Sequence, residues 1–306
     1  MNFRRSEFDV TNRINTTDAV CVKLEVSRIH RALYARMQAP AMARAFDDVV
    51  RMYRGEYPGY ARCDTAYHDL QHVLEVTLAM ARLLDGYERS RGEGVPLGER
   101  LFQLGVVCAL FHDCGYIRRE GDKKHRSGAE YTTVHVSRGA RFLKEYLPTL
   151  GMADFADIAG QIVHFTGYER PVARIRVPSP VFKLLGTLLG SADIIAQMSD
   201  RCYLEKCRDR LFPEFVVGGI ARRRTGEGEV TLFASPDDLV HKTPGFYVTA
   251  SKRLHNDLGG AYDYARSHFG GTNLYMEAVK QNVRFAERLS GEPGMQLRRH
   301  PPPAVL

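Results

Sequence analysis

The sequence predicts an all-α protein, a helical bundle, and three observations carry that expectation. Apolar residues recur three and four apart along most of the chain, the spacing of one face of an α-helix. The segment that breaks this pattern, residues 216–238, is short and glycine-bearing. Neither an internal repeat nor a linker separates two cores, so residues 1–290 read as one domain and 291–306, with three consecutive prolines, as an unstructured tail.

Helices are expected in order. "AVCVKLEVSRIHRALYARM" (19–37) and "AMARAFDDVVRMYRGEY" (41–57) both carry the 3–4 spacing. "YHDLQHVLEVTLAMARLLDGY" (67–87) repeats it and is expected to stop near Gly86. "GERLFQLGVVCALFHDCGY" (98–116) follows a Gly/Pro-bearing loop, and "SRGARFLKEYLPTL" (137–150) and "ADFADIAGQIVHF" (153–165) come next. "SPVFKLLGTLLGSADIIAQMSDR" (179–201) opens with Ser-Pro, which suits a cap followed by a first helical position. In 216–238 the alternating "EVTLF" suggests a loop or short hairpin. Helix is expected again over 236–258 and 272–291.

The bulk properties narrow the function classes. The 306 residues are 44% hydrophobic and 26% charged, ordinary for a globular protein with a real core. No run is read as long enough to span a membrane, and the first residues lack the apolar core of a signal peptide, so a cytoplasmic protein without membrane partners is expected. Six cysteines without C-x-x-C spacing argue against a disulfide scaffold or a Cys-rich zinc site. The net charge of +7 favours an anionic partner. Its basic clusters, "RREGDKKHR" (118–126) and "RRR" (222–224), lack interleaved aromatics, so a small anion is favoured over nucleic acid.

The stretch "CALFHDCGY" (108–116) ends an apolar helix in an adjacent imidazole and carboxylate, His112 and Asp113. Buried charges are normally paired or bound to metal, so partners must lie elsewhere. His68 and His72 in "YHDLQH" are four apart, which on a helix places both on one face. His135 precedes a helix, His164 ends "GQIVH", and Asp193 lies among apolar residues in "LLGSADIIAQ". The gaps between these residues are each about one helix plus a connection, and a bundle can bring such positions together at its centre.

This pattern resembles the HD-domain metal-dependent phosphohydrolase superfamily, named for the pair seen here as His112-Asp113. "YHDLQHVLEV" is similar to the "YHN-x-x-H" signature of cyclic-nucleotide phosphodiesterases, with Asp69 in the asparagine position. "HVSRGARFL" and "ADIIAQMSDRCY" are similar to segments of HD-GYP phosphodiesterases. The resemblance covers residues 65–205 and implies the HD-domain helical bundle. It implies that His72, His112, Asp113 and Asp193 hold one metal. Asp113 would bridge to a second metal held by His135 and His164, with His68 kept off the metals as general acid. The chain departs from both subfamilies at Tyr116, where one has lysine and the other histidine, and at His164-Phe165, where HD-GYP domains have a double histidine.

Imidazole and carboxylate ligands suit Mn, Fe, Zn or Ni, with Mg also admissible, and two such ions are expected. They would hold a hydroxide that attacks phosphorus, with the leaving oxygen protonated by His68. The expected activity is thus hydrolysis of a nucleotide-type phosphodiester. Arg118, Lys123, Lys124 and Arg126, on the loop after the His-Asp pair, are expected to hold the substrate phosphate, with Arg201 and Tyr203 at the rim. The rival readings are a nucleotide phosphohydrolase of the same superfamily, an HD-domain di-iron oxygenase, and a sensor that binds without turnover.

Overall fold

The computed structural model describes residues 4–35, 39–226, 228–292 and 294–305, and the side chains of Arg224 and Thr225 lie outside the description. Helices dominate, and the described β-structure is one exposed two-stranded hairpin plus two isolated bridges. Three helices form the centre. They are α3 (Leu70–Ser90), α4 (Gly98–Phe111) and α7 (Pro180–Ser199), preceded in the chain by α1 (Ala19–Leu33) and α2 (Pro40–Tyr53). Between α4 and α7 come α5 (His135–Tyr146) and the short α6 (Ala156–Ile162). Helix α3 packs on α7, α4 and α1, α2 packs on α4, and α5 lies on α6 and on the 3₁₀ turn that follows α4.

Local chemistry sets several of these boundaries. Asp18 caps α1 by accepting from the amides of Val20 and Cys21, and Asp69 caps α3 by accepting from that of His72. Pro180 opens α7 after Ser179, as the Ser-Pro pair predicts. From Leu70 to Tyr87 every residue of α3 except Glu75 is buried, and so is α4 from Phe102 to Phe111. Each fully buried leucine in them stabilises the fold by roughly 1.5–3 kcal/mol. The ends of these helices are therefore fixed relative to one another by packing.

The second half of the chain wraps this centre. It comprises α8 (Tyr203–Lys206), a π-helical turn over Cys207–Leu211, α9 (Phe212–Val217), strands β1 (Arg222–Thr225) and β2 (Gly228–Thr231), then α10 (Pro236–His241), α11 (Thr243–Lys252), α12 (Tyr264–His268) and α13 (Leu274–Gly291). The β1–β2 pair is the hairpin expected from the alternation in 216–238. Arg82 of α3 is buried, donating to Asp9 (2.5 Å) and to the Tyr275 hydroxyl (2.9 Å), and so ties the N-terminal segment and α13 to the centre. Losing one partner of such a buried pair costs about 3–5 kcal/mol.

Three expectations are corrected. Helix α3 runs past Gly86 to Ser90, because Gly86 serves a close approach and not a stop. A Cβ there would lie 1.9 Å from the carbonyl oxygen of Tyr264, at the start of α12. One segment does have the length and apolarity of a membrane span. It is α7, at a mean hydropathy of 1.3, but 67% of that window is buried inside the protein, which marks a core helix.

The described part of the tail is anchored. Val305 N–H donates to Asp69 Oδ2 (2.9 Å), and its carbonyl accepts from Leu70 N–H (3.0 Å). Arg210 donates to the carbonyl of Pro302, and Arg299 to that of Arg201. Composition misleads here because most of the anchors are backbone groups, which prolines and small residues still provide. All six cysteines are free thiols, five of them buried.

Candidate metal centre

The site is built from the start of α3, the end of α4 and the interior of α7. His112 is the C-cap residue that follows α4 and Asp113 comes next, entering the 3₁₀ turn Cys114–Tyr116. His72 sits in the first turn of α3, held by the Asp69 cap. Asp193 lies midway along α7, its side chain 13% exposed. Asp113 Oδ2 is 3.3 Å from His72 Nε2 and 3.2 Å from His112 Nε2, and Asp193 Oδ1 is 3.5 Å and 3.9 Å from the same two nitrogens.

These separations fit a metal. Two ligand atoms each about 2.1 Å from one ion lie roughly 3–3.5 Å apart. His72, His112 and Asp113 form a buried group able to hold an ion. His112 Nε2 is buried and has no hydrogen-bond partner among the described residues, an orphaned atom whose need an ion would meet. Its other nitrogen, Nδ1, faces the carbonyl of Ala109 at 2.8 Å. A carbonyl only accepts, so Nδ1 carries a proton, and in the neutral ring that a metal ligand must be, Nε2 presents its lone pair.

The second carboxylate oxygen of Asp113 turns the other way, with Oδ1 3.5 Å from His135 Nε2. His135 opens α5 with Nδ1 on the carbonyl of Thr132 (2.7 Å). His164, in the 3₁₀ turn Val163–Phe165, is less well placed. Among the described residues no ion pair within 4.0 Å joins it to Asp113, and the carboxylate beside it is Glu169, with Oε2 4.0 Å from Nδ1.

His68 departs from the expected position. Asp69 is the helix cap, so His68 precedes α3 in a bend, and the two histidines do not share a helix face. It nonetheless lies beside the cluster, its ring centroid 5.8 Å from that of His72. Its Nδ1 faces Glu214 Oε2 at 2.6 Å, and the other Glu214 oxygen accepts from Tyr67 N–H (2.6 Å). Tyr116 is sandwiched between His68 (4.2 Å, 16°) and His135 (4.3 Å, 20°).

The electrostatics follow from burial and charge. Burial disfavours the charged imidazole of His68, but Glu214 outweighs it and the pKa lies above the ordinary histidine value. Burial likewise opposes protonation of His112, yet Asp113 and Asp193 raise it to about 9. Asp113 is held well below the carboxylate range, because His112 and His72 overcome its desolvation. Burial lowers His135, which favours the neutral form a ligand must have.

The expected substrate residues are scattered. Arg118 is committed to Asp64 (2.9 Å) and to the carbonyl of His125, while Lys123, Lys124 and Arg126 are exposed on the loop. Arg201 is half-buried and Tyr203 is buried beside Cys207. Two carboxylates escaped the sequence reading. Glu214 stands among apolar residues in "LFPEFVV", the same signal that marked Asp193, whereas Glu169 in "TGYERP" carries no such mark. Compared with family models, curated proteins and solved structures, the chain matches none.

Proposed function

We propose that this chain is a metal-dependent phosphodiesterase of the HD-domain kind, hydrolysing a nucleotide-type phosphodiester with His68 as general acid. The observation that carries the reading is the division of Asp113. One of its oxygens faces His72 and His112 beside Asp193, and the other faces His135. A carboxylate so divided suits two cations a short distance apart, the arrangement used for in-line displacement at phosphorus. His72, His112, Asp113 and Asp193 would hold one ion, and Asp113, His135 and His164 the other, chosen from Mn, Fe, Zn, Ni or Mg. When bound, these ions supply Lewis-acid neutralisation of the phosphoryl oxygens and activate the attacking water.

The chain's own residues do the rest. Glu214 fixes the His68 ring through Nδ1 and favours its protonated form, so that a proton is available to the leaving oxygen. Asp113, kept ionised, faces both groups of imidazoles. The exposed side chains of Lys123 and Lys124 are the loop's candidates for the substrate phosphate, and the net positive charge favours the approach of an anion.

The test is hydrolysis of bis(p-nitrophenyl) phosphate by purified protein with Mn²⁺, read beside its metal content. Wild type is expected to turn over. Asp113→Ala should lose both ions and all activity. His68→Ala should keep its metals and fall by roughly 10²–10⁴-fold. A metal-loaded wild type that leaves the diester intact would overturn the proposal in favour of an oxygenase or of a phosphohydrolase with a narrow substrate, and oxygen consumption by the iron-loaded protein would single out the oxygenase.

A further inference from the structure

Two of the site imidazoles share a device and a third lacks it. His112 and His135 each direct Nδ1 at a carbonyl three residues earlier, Ala109 at 2.8 Å and Thr132 at 2.7 Å. That contact fixes the tautomer whose Nε2 is free to ligate. The ring of His164 is 3% exposed and, among the described residues, its Nδ1 has no hydrogen-bond partner. The carboxylate beside it, 4.0 Å away, is Glu169. Glu169 is otherwise bound to the first turn of α5. It accepts from the amides of Val136 (3.0 Å) and Ser137 (3.3 Å) and from the Ser137 hydroxyl (2.5 Å). The first residue of that helix is His135.

We infer that Glu169 is the positioning carboxylate of the second metal site. It accepts the Nδ1 proton of His164, leaving Nε2 for an ion, and it ties that ring to the helix that opens with His135. Closing 4.0 Å to a hydrogen bond of about 3 Å asks for a movement of roughly 1 Å. The inference rests on the two-metal reading above and names the residue that would make its weaker half work. A helix cap alone would explain the Val136 and Ser137 contacts, but not why a buried imidazole nitrogen is left unpaired beside the capping carboxylate.

Glu169→Gln separates the two roles. The amide oxygen of glutamine still accepts from the α5 amides, and its NH₂ can donate to the Ser137 hydroxyl, so the cap survives. Toward His164, however, that NH₂ can only donate. It would draw the lone pair to Nδ1 and put the proton on Nε2, the wrong tautomer for ligation.

The experiment is a Mn²⁺ titration with metal content per chain read by mass spectrometry, alongside thermal unfolding. Wild type should bind two ions. Glu169→Gln should keep the first, bind the second about 10–100-fold more weakly, and melt with wild type. Glu169→Ala should lose the cap as well and melt lower. Glu169→Gln binding both ions with wild-type affinity would overturn the inference. So would a loss of the second ion that comes only with the lowered melting of Glu169→Ala, which would make Glu169 a cap and nothing more. A wild type that binds one ion would instead refute the two-metal reading, and the inference with it.

Discussion

The glycine that follows the His-Asp pair offers the sharpest test of how the centre is held. Gly115 lies in the 3₁₀ turn after Asp113, and a Cβ built on it falls 1.8 Å from the carbonyl oxygen of His135 and 2.9 Å from the amide nitrogen of Gly139. Both atoms are backbone of α5 or its first residue, so no side-chain rotation relieves the clash. In Gly115→Ala the turn and α5 must part by roughly 1.5 Å to restore ordinary van der Waals separation. His135 Nε2, now 3.5 Å from Asp113 Oδ1, would move out of range of an ion shared with that oxygen. Overpacking of this kind costs about 1–3 kcal/mol. His72, His112 and Asp193 stand on the far side of Asp113 and would keep their geometry. The assay pairs urea unfolding with metal content. Gly115→Ala is expected to lose stability in that range and retain one ion of two. An alanine variant with wild-type stability and two ions would refute the claim that this contact sets the distance between α5 and Asp113.

Two further predictions concern the supports around the site. Glu75, where Thr16 and Gln71 both donate to Oε1 at 3.0 Å, has its carboxyl pushed up to about 8 by burial. With the folded pKa above the unfolded one, the native state holds an extra proton between them, so this group's contribution to stability is full at pH 4 and is lost as pH rises through 8. Glu75→Gln should flatten that part of the pH–melting curve, and an unchanged slope would refute the assignment. Val305→Pro removes the N–H that binds Asp69 Oδ2 and should cost about 1.5–3 kcal/mol, whereas Val305→Ala, which keeps it, should cost less. Equal melting temperatures for wild type and the proline variant would mean that the tail does not support α3.

What could be read in the sequence was local. The 3–4 periodicity located the central helices because each buries a whole face in one core, and a carboxylate in an apolar run marked Asp193 on α7. What could not be read depends on contacts between distant segments. "YHDLQH" reads as continuous helix by spacing, but the Asp69 carboxylate takes the His72 amide and leaves His68 outside the helix. Gly86 looks like a terminator until α12 is seen lying against it. The Glu214–His68 pair joins residues 146 apart in sequence. The tail is held mainly by its backbone, with the Arg299 guanidinium as a side-chain anchor, and backbone donors carry no sequence signature.

The same distinction orders the site itself. His72, His112 and Asp193 are carried by α3, the end of α4 and α7, three helices locked by nearly continuous burial, so moving any one of these side chains means repacking the core. His135 and His164 stand on the edge, at the start of α5 and in a 3₁₀ turn. His135 is held by a glycine contact, by the carbonyl of Thr132 and, through the first turn of α5, by the carboxylate of Glu169, whereas among the described residues His164 Nδ1 has no hydrogen-bond partner. Rigid ligands lose little freedom on meeting an ion, whereas loosely held ones must first be ordered, at a cost of about 0.5–1.5 kcal/mol for each side chain immobilised. In the proposed reading the two ions are therefore unequal. The first belongs to the fold, and the second depends on a few replaceable contacts, with Asp113 as the one residue common to both.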